Sequence, residues 1–143
     1  MARLTMIVGL PGSGKSHLSD ELAEQRKSRV YHDVLGRHLI PDESEGYCSL
    51  LRALQAGEDC VANEICLAHR DKREAFEKMM GVLFGATVQV DWIFFENDPA
   101  QCRANVDADD VKPDKQGRLD AIAHYSAAYD IPAAAEVWPV HRP

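Results

Sequence analysis

Residues Gly9-Leu10-Pro11-Gly12-Ser13-Gly14-Lys15-Ser16 follow the spacing Gly-x-x-x-x-Gly-Lys-Ser/Thr throughout. This combination is suited to holding phosphate. Glycines at 9, 12 and 14 let the backbone wrap an anion with its N–H groups turned inward, along a path that a Cβ would resist. Lys15 can bridge β- and γ-phosphates as a point charge, and the Ser16 hydroxyl can ligate Mg²⁺. A helix starting here adds its unpaired N–H groups and the positive end of its dipole. The nucleotide-contacting set is therefore Gly9, Pro11, Gly12, Ser13, Gly14, Lys15 and Ser16, with His17 beside it at the start of the helix.

Such a loop needs a strand before it and a helix after it. Leu4-Thr5-Met6-Ile7-Val8 is a short apolar run, so residues 3–9 read as a buried strand. Leu18, Leu22 and Ala23 recur at helical spacing opposite Asp20, Glu21 and Glu24, which predicts a helix over 15–27. Arg29-Val30-Tyr31-His32-Asp33 reads as a strand ending in a carboxylate. Gly36 and Pro41 break the chain, and Asp42, Glu43 and Ser44 suit the cap of a helix over 44–56. Asp59 to Glu64 reads as a third strand, 69–84 as a mixed-charge helix and Thr87 to Phe95 as a fourth strand. Asp98 and Pro99 open the next helix as cap and first residue. Residues 107–117 are a polar loop, 118–129 a further helix, and Glu136 to His141 a last short strand.

Strand–helix alternation of this kind predicts an α/β three-layer sandwich around a central, mostly parallel five-stranded sheet, the P-loop NTPase fold. Ligands bind such sheets at the carboxyl ends of the strands. The phosphate loop, Asp33 and Asn63-Glu64 should converge there on one crevice. The 143 residues suit a single domain, 1–143. The formal net charge of -7 disfavours a general nucleic-acid coat but leaves room for a local basic groove. No apolar run reaches the ~20 residues of a membrane helix. Met1-Ala2-Arg3 leads directly into the first strand, so no signal peptide and a cytoplasmic location are expected. Cys48, Cys60, Cys66 and Cys102 lack metal-site spacing and read as buried or free thiols. No obligate protein partner is evident.

The order of elements over the whole chain resembles the AAA-type small P-loop kinases, closest to the polynucleotide 5′-kinase and zeta-toxin-like group and its small-metabolite relatives. The resemblance is carried by Ile7-Val8-Gly9 running into Gly14-Lys15-Ser16, by Asp33, and by Arg103 with Asn105 on the helix after the fourth strand. It implies that Asp33 deprotonates or orients an acceptor hydroxyl. It also implies that Arg103 contacts the transferring phosphates beside a mobile lid around 103–118. The chain departs from the group at Asn63 and Glu64, where an Asp and a small polar residue are usual. Arg37 follows Asp33 at a spacing different from the group's acceptor-side arginine, and is carried over as a substrate contact.

The catalytic candidates are thus Lys15, Asp33 and Arg103, with Arg103 also on the nucleotide. Asp33, Arg37 and Glu64 are the substrate-side candidates, and Ser16 is the metal ligand. Other roles remain open: Asp33 as a cap or water-mediated Mg²⁺ ligand, Glu64 as an exposed charge, and Arg103 in a surface ion pair. Arg118 is a second lid candidate. His69-Arg70-Asp71-Lys72-Arg73 could face a polyanion, or be a solvated helix face with pairs such as Arg70–Glu74 and Arg73–Glu77. The expected function is an ATP- and Mg²⁺-dependent kinase acting on a hydroxyl of nucleic acid, either a 5′ end or a hydroxymethylated base. The alternatives are a small-metabolite or nucleoside kinase, and an NTPase switch.

Overall fold

The computed structural model describes residues 1–35 and 45–143. Arg37 lies outside the described residues, as do Gly36, Pro41, Asp42, Glu43 and Ser44. The centre of the molecule is β1 (Ala2–Val8), flanked by β3 (Cys60–Glu64) and β4 (Val88–Phe95). Outside these lie β2 (Arg29–His32) and β5 (Glu136–Trp138), giving the order β2-β3-β1-β4-β5 with every pairing parallel. A parallel sheet has helices over both faces, so its inner strands carry apolar residues on both sides. Leu4, Met6, Ile7 and Val8 do this in β1, and all of β3 is buried.

Alternate residues of β1 serve different layers. Leu4, Met6 and Val8 pack with Phe94 against Leu50 and Leu54 of α2 (Glu45–Gln55) and Phe76 and Met80 of α3 (Arg70–Phe84). Ile7, on the other face, joins Val61, Ile93 and Phe95 beneath Leu18 and Ala23 of α1 (Lys15–Arg26). Each such side chain contributes about 1.5–3 kcal/mol when fully buried. A third cluster lies beside the phosphate loop. There Leu10 packs with Cys102 and Val106 of α4 (Pro99–Ala108), Ile122 of α5 (Lys115–Ser126) and Val140. The loop is therefore fastened by apolar contact to the elements that face it.

Most boundaries shift by a residue from the sequence expectation, and the larger shifts lie near the carboxyl end, where the helix expected over 118–129 runs from Lys115 to Ser126. The polar stretch expected over 107–117 contracts to residues 109–114. This happens because the Asp114 carboxylate accepts the Gly117 N–H at 3.1 Å and starts α5 at Lys115. The last strand ends at Trp138 rather than His141. Pro139 has no N–H for the ladder, and beyond it Val140 N–H donates to Glu96 Oε1 (3.1 Å) and His141 N–H to the Ser13 carbonyl (3.0 Å). The carboxyl-terminal segment thus closes onto the phosphate loop.

Candidate active site

The loop after β1 takes its shape from its glycines. Gly12 (φ 81°) and Gly14 (φ 106°) occupy the left-handed region, and a Cβ on Gly12 would stand 2.7 Å from the Cys102 carbonyl oxygen. Asn105 of α4 reaches across, its side-chain amide donating to the Gly12 carbonyl (2.8 Å) and the His141 carbonyl (2.7 Å). Gln101 holds that amide from the other end at 2.9 Å. This one side chain bonds both the loop and the carboxyl-terminal segment from α4.

Beyond the loop lies a cavity of about 490 Å³ at the carboxyl ends of the strands. Pro11, Gly12, Lys15, Ser16, Asp33 and Glu64 line one side, and Asn105, Asp109, Lys112, Asp114 and Arg118 line the other. The phosphate loop, Asp33 and Glu64 do converge on one crevice. Asp33 sits at φ 50°, with its N–H donating to the Asn63 carbonyl at 3.0 Å. Aspartate tolerates this left-handed turn better than most residues, and the turn ends the β2 ladder at the cavity wall.

Glu64 is 1 % exposed, and one carboxylate oxygen accepts the Leu35 N–H at 2.9 Å. Burial pushes its carboxyl up to about 8. The Leu35 N–H opposes that shift, and the neighbouring Asp33 charge adds to it. Burial holds the Lys15 ammonium below the usual lysine range, against the pull of Asp33 and Glu64. A lysine and two carboxyl groups share this cleft, and where burial lowers the local dielectric the charge of a bound ligand acts on them more strongly than in water. Ser16, Asp33 and Glu64 present the oxygen ligands that Mg²⁺ prefers, and the loop amides with Lys15 suit the phosphates.

Asn63 does not face the cavity. Its amide donates to Ser19 Oγ (2.7 Å) and bonds His32 Nδ1, while Ser19 Oγ donates to the Lys15 and Ser16 carbonyls (2.9 and 3.0 Å). His32 Nε2 meets Asp20 at 2.9 Å. The departure at 63 is thus absorbed by a brace on the first turn of α1, and Glu64 is the cleft residue of the pair.

The arginine candidates separate. Arg103 is exposed on α4 and lines none of the cavities described here. Arg118 lines the cleft, because α5 begins a turn earlier than expected. Its guanidinium contacts Asp109 Oδ2 (3.3 Å) and donates to the Lys112 carbonyl (3.0 Å). Its buried Nε has no hydrogen-bond partner among the described residues. His17 is exposed and lines a separate cleft of about 730 Å³ behind the loop, with Gly14, Phe95, Trp138, Pro139 and Arg142. Lys112 and Asn105 lacked a spacing signal of their own in the sequence, although Asn105 was marked by its place in the resemblance. Arg73 is buried rather than solvated. It donates to the Asp130 carbonyl (2.8 Å), pairs with the Asp130 carboxylate and lies over the Phe94 ring. The expected Arg73–Glu77 pair gives way to this inward pairing, whereas Arg70–Glu74 forms at 2.9 Å.

Residues 4–130 match the AAA domain family. The chain belongs to that family. An uncharacterized protein of Acanthamoeba polyphaga mimivirus is 31 % identical to this AAA domain over 136 residues, covering 90 % of this chain and 87 % of the viral one. Among solved structures, a gluconokinase from Sinorhizobium meliloti superposes with a TM-score of 0.61 at 14 % identity, covering 97 % of this chain and 83 % of that one. A sugar kinase from Janibacter superposes with a TM-score of 0.56 at 15 % identity, covering 98 % and 85 %. At that identity the likeness establishes the fold, the α/β P-loop fold with a parallel five-stranded sheet.

Proposed function

We propose that this AAA domain is a kinase that transfers the γ-phosphate of Mg-ATP to a hydroxyl of a small molecule. The observation that carries the reading is the enclosure of one cavity by Lys15, Ser16, Asp33, Glu64 and Arg118. The fold shared with a gluconokinase and a sugar kinase supports it. The cleft behind the loop suits the base and ribose, with Trp138 and His17 on its walls. Asp33 accepts the proton of the acceptor hydroxyl as that oxygen bonds to the γ-phosphorus and the bond to the β-phosphate oxygen breaks, releasing ADP. Lys15, Arg118 and the loop amides offset charge on the phosphoryl oxygens. Mg²⁺, when bound, would neutralise the phosphates, with Ser16 and the nearby carboxylates as its protein-side oxygens. Residues 103–118 retain the proposed role of a lid, with Arg118 rather than Arg103 as its inward cation.

A nucleic-acid 5′-hydroxyl is the second reading, kept by the resemblance to polynucleotide 5′-kinases. Arg73, turned into the core, is lost to a polyanion surface, which favours the small acceptor. The test is transfer of labelled γ-phosphate to a panel of polyols, sugar acids, nucleosides and 5′-hydroxyl DNA and RNA, with Lys15→Ala as control. Label on a small acceptor, absent with Lys15→Ala, is the expected result. Label confined to nucleic acid would overturn the choice of acceptor, and release of free phosphate alone would favour an NTPase switch.

A further inference from the structure

Beside the phosphate-loop cavity lies a second one of about 580 Å³, and Cys66, Gly117, Ala121 and Tyr125 wall both. The remaining walls of the second cavity are His69, Lys72, Asp120 and His124. The His69 ring packs at a tilt against His124 (centroids 5.4 Å apart) and Tyr125 (4.9 Å), so the histidines are set in place rather than loose on the surface. The Nε2 atom of His69 is buried without a hydrogen-bond partner among the described residues. Resting on the kinase reading above, we infer that this second cavity holds the acceptor, and that the acceptor is a polyhydroxylated small molecule with one anionic group.

The chemistry of the wall selects that class. A hydroxyl both donates and accepts, so it needs partners of both kinds. The Asp120 carboxylate, held at 2.9 Å by Gln116, can only accept, whereas neutral histidines do both. Lys72 can only donate, and no ion pair among the described residues engages it. Its ammonium is therefore available to a carboxylate or phosphate. The neighbouring cations are committed elsewhere, Arg70 to Glu74 and Arg73 to Asp130. One available cation at the cavity matches one anionic group, not the succession of phosphates along a nucleic-acid strand. A volume of about 580 Å³ holds a sugar-sized acid with its hydration, and the shared wall lets a hydroxyl at its far end reach Asp33.

The test compares acceptors of one chain length in the whole protein: a neutral polyol, the corresponding sugar acid and the corresponding sugar phosphate. Lys72→Gln and His124→Ala are the variants. Lys72 is exposed, so its substitution leaves the fold intact. The expected result is a KM for the charged acceptor at least 10-fold below that for the neutral polyol. Lys72→Gln should raise it at least 10-fold with kcat and the KM for ATP within about 2-fold, and leave the neutral polyol unchanged. Whether the carboxylate or the phosphate shows the larger effect identifies the anion. Binding of the same three compounds, measured by calorimetry in the presence of a non-hydrolysable ATP analogue, decides the matter independently of turnover. Transfer to all three with equal KM, or a Lys72→Gln variant that binds the charged acceptor as well as the parent does, would overturn the inference while leaving the kinase standing. Absence of both transfer and binding for every small acceptor would overturn this inference together with the small-molecule acceptor proposed above.

Discussion

Asp33 and Glu64 are two carboxyl groups in one cleft with different surroundings. Asp33 ends an exposed edge of β2 in a left-handed turn, whereas Glu64 is buried and tied to the Leu35 N–H. A general base contributes about 10²–10⁴-fold. Asp33→Asn should therefore lower kcat at least 100-fold with ATP affinity within about 3-fold, measured by single-turnover transfer and equilibrium binding. Turnover close to that of the parent would remove Asp33 as base. Glu64 gives a pH prediction. Its carboxyl is raised from an unfolded value of 4.5 to about 8 by burial, so the folded state holds a proton that the unfolded chain has lost. Stability must then fall as pH rises between those values, by at most about 1.4 kcal/mol per pH unit. Denaturant titrations of the nucleotide-free protein at pH 5, 7 and 9 should show Glu64→Gln gaining on the parent as pH rises. A gap that stays constant with pH would mean that Glu64 is ionised throughout.

At the scale of elements, the phosphate loop holds its shape because three segments converge on it. Asn105 of α4 bonds Gly12 and His141, His141 N–H bonds Ser13, and Ser19 of α1 returns to Lys15 and Ser16 under the hold of Asn63. Gly12 is where this convergence is tightest. Gly12→Ala would combine a left-handed φ, costing about 1–2 kcal/mol, with a Cβ 2.7 Å from a backbone carbonyl. It should weaken ATP binding at least 10-fold and lower the midpoint of thermal unfolding by several degrees, read by calorimetry with and without nucleotide. Full affinity would mean that the loop and α4 separate freely. α3 takes its position from a buried arginine, since Arg73 caps the Asp130 segment and covers Phe94. Its loss leaves hydrogen bonds to a charged donor unmade, a term of about 1.5–3 kcal/mol, and the half-exposed Asp130 carboxylate lowers that toward the bottom of the range. Arg73→Met should therefore cost about 1–2 kcal/mol in urea unfolding without altering the KM for ATP.

The whole molecule carries a formal charge of -7, and no helix among the described residues is long and apolar enough to cross a membrane. With Arg70 paired on the surface of α3 and Arg73 paired and buried, long-range attraction for a polyanion is weak. The KM for the phosphoryl acceptor should change less than about 5-fold between 50 and 200 mM salt. A protein making 6–10 phosphate contacts would instead lose about 10³–10⁵ in affinity. A steep salt slope would return the acceptor to nucleic acid.

The phosphate loop, the strand–helix alternation and the convergence of Asp33 and Glu64 could all be read from the chain. Loop chemistry depends on residue type at fixed spacing, and apolar periodicity reports which face of an element is buried. Asp98 and Pro99 marked the start of α4 for the same reason, since a cap acts over three residues. What spacing could not supply was the direction of long side chains and the pairing of distant segments. Arg103 and Arg118 are alike in the sequence, and only the packing of α4 on α5 turns the second inward and leaves the first in solvent. Arg73 looks like part of a basic surface run until the half-exposed Asp130, far along the chain, pairs with its buried guanidinium. The partition of the cleft beyond the loop is tertiary as well. His69 and His124 share a wall only because α5 folds back beside the start of α3, and burial pushes Glu64 upward only once the sheet has closed around it.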